Sequence, residues 1–174
     1  MAQLDMLVGD ITKNTQAVID EAIKARDEQQ ADVIVFPELT LTGYPPEDLL
    51  LRPSLDTRIE SVLQRLLEEV KNIYLVVGYP RRIDGELFNC ACVIHQGKVL
   101  GEYAKQKLPN FLVFDDKRYF SEGNQACIVE VKGVKVGLSI CEDIWHPEPS
   151  AQAKQAGAEL ILNLNASPFH VEKM

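Results

Sequence analysis

The chain of 174 residues has no apolar stretch close to the ~20 residues that a membrane-spanning helix requires. Its N-terminus lacks the basic region and apolar core of a secretory signal. Positive charge is scarce, with 18 Lys and Arg against 26 Asp and Glu and a net charge of -8. Affinity for nucleic acid comes mostly from cationic side chains, so this balance argues against a nucleic-acid partner. We therefore expect a soluble, cytoplasmic protein that binds neither membrane nor nucleic acid.

Glycine pairs are missing and cysteine is sparse. None of the 10 glycines is adjacent to another, so no glycine-rich phosphate loop can be placed. The four cysteines, at positions 90, 92, 127 and 141, are too scattered for a disulfide framework. Strand alternation puts Cys90 and Cys92 on one face and His95 on the other, and no second ligand pair has zinc spacing. We expect reduced thiols and no metal site.

The apolar content of 46% is sufficient for one globular domain over residues 1–174. Hydrophobic periodicity and turn residues predict the following elements. They are a strand at Gln3 to Val8, a helix within Asp10 to Gln30 capped by Asp10 or Thr12, a strand at Asp32 to Phe36, a helix at Ser54 to Lys71, a strand at Ile73 to Tyr79, a hairpin at Leu87 to Tyr103 turning at Gln96 and Gly97, a hairpin at Gly133 with an outgoing arm ending at Cys141, a helix at Pro147 to Gly157 and a strand at Glu159 to Asn163. This mixture predicts an α/β fold whose sheet has parallel and antiparallel members, with helices on at least one face.

Cys141 is the most informative residue of the chain. An apolar run from Val134 to Ile140 delivers its thiol directly into the acidic and aromatic segment 142–145. A sharp turn at the end of a strand presents a nucleophile above a rigid backbone. The alternative is that Cys141 is one more buried cysteine that packs as a small hydrophobe.

Candidate partners for this thiol lie at other strand ends. Glu38 follows the buried strand ADVIVF, and functional groups collect where the carboxyl ends of strands meet. A carboxylate at Glu38 could accept the thiol proton, since a thiol of ordinary pKa is mostly protonated at neutral pH. Lys105 and Lys107 are both candidates to stabilise an oxyanion, although lysines at strand exits are usually just solvated. None of the three histidines is placed for a Cys-His pair, because one lies in a hairpin and two lie in loops.

Three short motifs carry these residues: FPEL at Glu38, YAKQKLP at Lys105 and ICEDIW at Cys141. On these motifs the chain resembles the carbon-nitrogen hydrolases of the nitrilase superfamily. Longer strings make the resemblance narrower, to the glutaminase domain of glutamine-dependent NAD synthetases. These strings are LTGYPPEDLL at 41–50, LPNFLVFDDKRYF at 108–120 and NASPFH at 165–170.

The resemblance implies a role for each residue of the set and chooses between the two lysines. Glu38 is the general base, Lys105 faces the oxyanion, and Cys141 is the nucleophile, while Lys107 occupies a position often held by histidine. The implied reaction is attack of Cys141 on the side-chain amide of glutamine, release of ammonia, and hydrolysis of the thioester. No cofactor is implied for this amidase step.

For the amino-acid substrate, the resemblance suggests contacts from Tyr44, Phe111, Glu142 and the region of Ser167. The chain departs from the family pattern at two positions. Phe111 replaces a common tyrosine, which removes a hydroxyl, and Asp116 replaces a second glutamate. Packing of the two aromatic residues and capping by Glu142 remain the alternatives.

The resemblance also implies a four-layer αββα sandwich, a homo-oligomer, and an ammonia-consuming synthetase domain that binds ATP. We expect this chain to be an incomplete glutaminase domain, because the closing strands and the synthetase domain are missing from it. ATP cannot be assigned to this chain. Two alternatives stay open, namely a stand-alone amidase for another small ω-amide and a catalytically inert fragment or interaction module.

Overall fold

The computed structural model describes residues 1–111, 114–167 and 171. Within them the helices are α1 (Ile11–Asp27), α2 (Ser54–Glu69) and α3 (Pro147–Gln155). The strands are β1 (Val33–Val35), β2 (Tyr74–Ile83), β3 (Glu86–His95), β4 (Lys98–Ala104), β5 (Ile128–Val131), β6 (Val134–Ile140) and β7 (Leu160–Leu164). Short 3₁₀ segments cover Glu47–Leu51, Asp116–Arg118 and Cys141–Trp145. No helix in this described part of the chain has the length and apolar character needed to cross a membrane.

The strands form two sheets where the residue pattern predicted one. The first sheet has the order β1-β2-β3-β4, and the second has the order β5-β6-β7. Each sheet combines a parallel pair, β1 with β2 and β6 with β7, with antiparallel neighbours. The mixed character of the sheets is thus as predicted. Strand periodicity specifies which residues share a face, but it does not specify which sheet a strand joins.

Three hairpin turns have both of their central residues at positive φ, which matches the twist of the flanking strands. They are Asp84–Gly85, Gln96–Gly97 and Lys132–Gly133. The second and third are the predicted hairpins. The first turn was not predicted, and it explains why β2 runs to Ile83, beyond the expected end at Tyr79.

The layers are stacked in the order helix, sheet, sheet, helix. Helices α1 and α2 pack on the outer face of the first sheet through a large apolar core that includes Val18, Leu66 and Leu75. The two sheets face each other through a second core, which includes Val93 and Leu138. On the outer face of the second sheet, α3 lies so close that a β-carbon at Gly137 would be 3.3 Å from the Ala153 side chain. This is the αββα order that the resemblance implied.

The predicted first strand at Gln3 to Val8 is wrong. This segment is not assigned as a strand, and the sheet-like hydrogen bond near it comes from the preceding residue, from the Ala2 N–H to the Val35 carbonyl at 2.9 Å. Further along, the side chain of Asn14 takes the place of a strand partner. It accepts from the Leu7 N–H at 3.0 Å and donates to the Leu7 carbonyl at 2.9 Å. An apolar pattern of period two cannot reveal that a helix side chain will satisfy the backbone instead.

The α1 helix begins where the sequence indicated. The Asp10 carboxylate accepts a hydrogen bond from the Lys13 N–H at 3.1 Å, so Asp10 and not Thr12 is the N-cap residue. After α1, the chain enters the first sheet as β1, which is parallel to β2. Because β3 is antiparallel to β2 and β4 is antiparallel to β3, β1 and β4 run in the same direction, and their carboxyl ends lie on the same side of this sheet.

Candidate active site

Glu38 lies three residues beyond the end of β1 and is almost completely buried. The segment that carries it runs against β2 at Gly78. The Leu41 N–H donates to the Gly78 carbonyl at 3.2 Å, and a β-carbon at Gly78 would lie 2.7 Å from the Leu39 nitrogen. The absence of a side chain at Gly78 therefore allows the Glu38 segment to lie directly on the sheet.

Lys105 is the first residue after β4. Its backbone N–H donates to the Asn89 carbonyl at 2.9 Å, which continues the pairing of β3 with β4 past the strand end. Its ammonium nitrogen lies 2.7 Å from Oε1 of Glu38 and 2.8 Å from Oδ2 of Asp116. All three side chains are buried. Burial opposes the charge on Lys105, but the two carboxylates outweigh it and raise the lysine pKa, so the ammonium stays charged.

The two carboxylate oxygens of Glu38 have different surroundings. Oε1 accepts from Lys105 and from the side-chain amide of Asn89, the latter at 2.8 Å. Oε2 is buried and has no hydrogen-bond partner among the described residues. Burial raises the pKa of Glu38, and the charge of Asp116 adds to this effect against the opposing influence of Lys105. Glu38 is therefore a stronger base than an exposed glutamate, and one of its oxygens is free to take a proton.

Cys141 stands at the end of β6 and opens a 3₁₀ turn. Its φ of +45° lies in the left-handed region that residues other than glycine rarely adopt. Strain of this kind costs roughly 1–3 kcal/mol and concentrates at functional sites. The abrupt turn at the end of β6 is as predicted. The Cys141 side chain itself, however, is buried at 8% exposure and packs with the second core, as the alternative had it.

The Cys141 thiol is not a preformed thiolate. Burial and then the charge of Glu38 raise its pKa to about 12, although Lys105 and Ser167 act in the opposite direction. At neutral pH the sulfur therefore carries a proton, and attack requires a base that removes it. The charges of Glu38 and Lys105 act on this pKa in opposite directions.

The four residues proposed for substrate contact divide into two pairs. A cavity of about 600 Å³ is lined by Glu38, Tyr44 and Ser167. Burial and the nearby charges of Glu38 and Asp116 raise the pKa of Tyr44, so its hydroxyl remains a hydrogen-bond donor.

The other pair lies elsewhere. Phe111 is 47% exposed and makes an edge contact with Phe114, at 5.7 Å between ring centroids. The Glu142 carboxylate lies 3.5 Å from Nε2 of His146. Neither is among the described residues that line the cavity, but Cys141 and Lys105 are not among them either, so the lining does not decide between substrate contact and packing for Phe111. Residues 112, 113 and 168–170, which belong to two of the sequence motifs and include His170, lie outside the described part of the chain.

The choice between the two lysines agrees with their surroundings. The Lys107 ammonium lies 3.3 Å from Glu148 in an ion pair at the surface. Lys105 instead holds the two buried carboxylates. Because both Glu38 and Asp116 are engaged by this ammonium, they are not free to act together as metal ligands, and the described residues contain no group of three side chains suited to a metal ion.

The whole chain, residues 1–174, matches the family described as carbon-nitrogen hydrolase. The protein belongs to the carbon-nitrogen hydrolase family.

Relatives of this hydrolase are much longer than it is. A glutamine-dependent NAD(+) synthetase from Xanthomonas campestris pv. campestris (strain 8004) is 48% identical over 172 residues, which cover 97% of this chain and 31% of the relative. The corresponding protein of Aquifex aeolicus (strain VF5) is 44% identical over 178 residues, with coverage of 99% and 30%. The hydrolase thus spans about a third of the length of these relatives.

Solved structures place the fold in the same family. The glutamine-dependent NAD+ synthetase of Acinetobacter baumannii superimposes with a TM-score of 0.95 at 44% identity, over 99% of this chain and 32% of that one. An amidase from Nesterenkonia sp. gives a TM-score of 0.87 at 25% identity, over 97% and 64%. The nitrilase-like α/β fold is confirmed.

Two buried polar residues of the hydrolase site were missed in the sequence. Asn89 lies within the apolar strand LFNCACVI and donates to Glu38. Asp143 follows Cys141 by two residues and accepts hydrogen bonds from the segments on either side of the site. A lone amide in an otherwise apolar strand is a usable signal, because a buried polar group needs a partner. The Glu142-Asp143 pair gave no signal as to which acid is buried.

Proposed function

We propose that this carbon-nitrogen hydrolase cleaves the side-chain amide of glutamine, with Cys141 as nucleophile, Glu38 as general base and Lys105 as the cation that faces the oxyanion. The observation that carries the proposal is the buried Lys105 ammonium, held between Glu38 and Asp116 close to a protonated thiol. The relatives whose names include glutamine-dependent NAD(+) synthesis supply the substrate class.

The first half of the reaction uses the free oxygen of Glu38. Oε2 accepts the thiol proton while the sulfur of Cys141 forms a bond to the amide carbon, and the carbonyl oxygen becomes an oxyanion. A lysine ammonium has three N–H donors. Two of those on Lys105 point to Glu38 and Asp116, so the third is available to the oxyanion. Collapse of the tetrahedral intermediate transfers the proton from Glu38 to the leaving nitrogen and releases ammonia.

The second half regenerates the enzyme. Glu38 removes a proton from water, the resulting hydroxide attacks the thioester carbon, and Lys105 again faces the oxyanion. The carbon-sulfur bond breaks, the sulfur recovers its proton from Glu38, and glutamate leaves. Atoms and charges balance without a cofactor.

The ammonia has a proposed destination. The relatives of this chain are NAD synthetases about three times its length, so we assign the ammonia to an ATP-using synthetase domain outside these 174 residues. This assignment makes the cytoplasm the expected compartment. Tyr44 and Ser167, which line the cavity beside Glu38, are the proposed contacts for the amino-acid part of glutamine.

The test is ammonia release from glutamine by the 174-residue protein. Cys141→Ala and Glu38→Gln should abolish turnover, and Lys105→Met should do the same, because an uncharged side chain cannot stabilise the oxyanion. Lys107→Met is the matched control, since it removes only a surface ion pair, worth ~0–1 kcal/mol. Wild-type turnover in any of the first three variants would refute the assigned roles.

A panel of other small ω-amides separates the alternatives. The amidase from Nesterenkonia sp. shares the fold, so a panel in which glutamine ranks poorly would favour a stand-alone amidase. Failure to release ammonia from any amide would favour an inert module.

A further inference from the structure

Asp143 is fully buried, and each of its carboxylate oxygens accepts two hydrogen bonds. Oδ1 accepts from the backbone N–H groups of Gln106 and Lys107, at 3.0 Å and 2.8 Å. Oδ2 accepts from the backbone N–H of Ile140 at 3.1 Å and from the Tyr103 hydroxyl at 2.8 Å. All four acceptor directions of the carboxylate are thus used.

The four donors belong to the two segments that carry Lys105 and Cys141. Tyr103, Gln106 and Lys107 bracket Lys105 at the end of β4, in the first sheet. Ile140 directly precedes Cys141 at the end of β6, in the second sheet. No backbone ladder joins β4 to β6, because the two strands belong to different sheets. One carboxylate therefore ties together the two strand ends that carry the ammonium and the thiol.

We propose that Asp143 is a positioning residue that fixes the separation between the Lys105 ammonium and the Cys141 thiol. It touches neither the substrate nor the reacting atoms. It acts through the backbone on each side of the two groups, and its role in turnover rests on the function proposed above.

Local capping of the 3₁₀ turn does not account for Asp143. Only the bond from Ile140 lies within its own turn, and the other three reach across to the segment that carries Lys105. Burial raises the pKa of Asp143 although four hydrogen bonds act to lower it, so the carboxylate is held at an energetic cost. A cap at the surface would carry no such cost.

The replacement Asp143→Asn keeps the volume but turns one acceptor oxygen into a donor NH₂ group. In one orientation the NH₂ faces the N–H groups of Gln106 and Lys107. In the other it faces the N–H of Ile140, while the Tyr103 hydroxyl can rotate to accept from it, so at least one backbone bond of the clamp is lost either way. A misplacement of about 1 Å in an active site can cost roughly a hundredfold in rate, and we expect a fall in kcat of this order with KM for glutamine changed less than about threefold.

The experiment compares Asp143→Asn with Ser139→Ala in the 174-residue protein. Ser139 is buried on β6, next to Ile140, and its hydroxyl has no hydrogen-bond partner among the described residues. Its removal therefore changes a buried polar side chain near Cys141 without removing a bond to Asp143. Amide hydrogen exchange is measured at Gln106, Lys107 and Ile140. We expect loss of protection on one side of the clamp in Asp143→Asn and none in Ser139→Ala.

A readout independent of turnover is the alkylation rate of Cys141 by iodoacetamide, followed by mass spectrometry. Lys105 lowers the thiol pKa, so moving the ammonium away should slow alkylation of Cys141 in Asp143→Asn. If the wild type releases no ammonia, the proposed function fails, and the exchange and alkylation results still decide the role of Asp143.

The proposal is overturned if protection at all three amides is unchanged, or if protection is lost while kcat and Cys141 alkylation keep their wild-type values. If Asp143→Asn does not fold, Tyr103→Phe serves instead, because it removes one of the four bonds and leaves an aromatic ring of the same size. A smaller loss of kcat with the same direction in alkylation supports the clamp. If Asp143→Asn is unfolded and Tyr103→Phe keeps the wild-type kcat and the wild-type rate of Cys141 alkylation, Asp143 contributes to stability alone.

Discussion

The side-chain amide of Asn89 and the ammonium of Lys105 donate to the same oxygen of Glu38, at 2.8 Å and 2.7 Å. This shared acceptor fixes the rotation of the carboxylate. It directs the other oxygen, Oε2, away from both donors and leaves it without a partner among the described residues. The orientation of Glu38, the proposed base, therefore depends on the side-chain amide of Asn89.

Replacing Asn89 by leucine should weaken catalysis while leaving the nucleophile in place. The variant keeps the branched heavy-atom skeleton of the side chain but loses a hydrogen bond to a charged group, which is worth about 1.5–3 kcal/mol. We expect kcat/KM for glutamine to fall by roughly tenfold to a hundredfold. Steady-state ammonia release measures this effect.

The control for Asn89→Leu is Cys90→Ala, a truncation of the next buried residue on the same strand. It should lower the melting temperature through the cavity that it leaves, with little change in the kcat/KM of the folded protein. Equal losses of kcat/KM in the two variants would mean that strand packing, and not the bond to Glu38, is responsible.

The pH dependence of kcat/KM should reveal the raised pKa of Glu38. Only the ionised carboxylate accepts the thiol proton, so activity must rise with pH as Glu38 deprotonates. Because burial and Asp116 raise this pKa, the acidic limb should lie above the ordinary range of a glutamate. Asp116→Asn removes a charge that raises the pKa, so the limb should move to lower pH.

The matched variant for this experiment is Asp116→Glu, which restores the residue type that the family resemblance implies and keeps the charge. Its acidic limb should stay close to that of the wild type. A limb that moves to higher pH in Asp116→Asn would contradict the assignment of the limb to Glu38.

Glu38→Gln should separate thiol reactivity from turnover. The charge of Glu38 raises the pKa of Cys141, so its removal should lower that pKa and increase the thiolate fraction at a given pH. Alkylation of Cys141 should therefore become faster, with a midpoint at lower pH, although glutamine hydrolysis is lost. Mass spectrometry of the alkylated peptide resolves Cys141 from Cys127, whose pKa of about 11 is set mainly by burial and serves as the reference. Slower alkylation of Cys141 in this variant would place the proton acceptor elsewhere.

Much of this site was predictable because its reactive groups stand at strand ends. Glu38, Lys105 and Cys141 each follow an apolar run, and a run that stops at a polar residue is visible in one sequence. The assignment of their roles, however, depended on the resemblance to a family. Residues alone left Lys105 and Lys107 as equal candidates, and only the structure shows that one is buried between carboxylates and the other pairs with Glu148 at the surface.

The contacts that hold the site together were not predictable in this way. Asn89 and Asp143 act through partners that are 51 and 37 residues away in the sequence, and no local pattern specifies such pairs. The strand predicted at Gln3 to Val8 is wrong for the same reason, since the side chain of Asn14 forms hydrogen bonds with the backbone N–H and carbonyl of Leu7. The division of the seven strands in the described part of the chain between two sheets is also a property of packing, which periodicity along one strand does not encode.

Gly78 offers a test of how closely the Glu38 segment must approach the sheet. A β-carbon at this position would lie 2.7 Å from the Leu39 nitrogen and 2.9 Å from the Pro37 carbonyl oxygen, so the backbone around Glu38 has to move. Overpacking of this kind typically costs about 1–3 kcal/mol of stability. Because the displaced atoms flank the general base, we expect Gly78→Ala to lower kcat/KM for glutamine by tenfold or more.

Gly85→Ala is the matched control for Gly78→Ala. A β-carbon at Gly85 meets open space, and its φ of +88° makes the substitution strained at roughly 1–2 kcal/mol. Both variants should therefore lose similar amounts of stability in thermal unfolding. Only Gly78→Ala should lose kcat/KM at a temperature where both are folded, because a β-carbon at Gly85 does not meet the segment that carries Glu38. Equal activity in the two variants would show that catalysis tolerates movement of the Glu38 backbone. We expect the opposite, because only one oxygen of this carboxylate is free to accept the thiol proton.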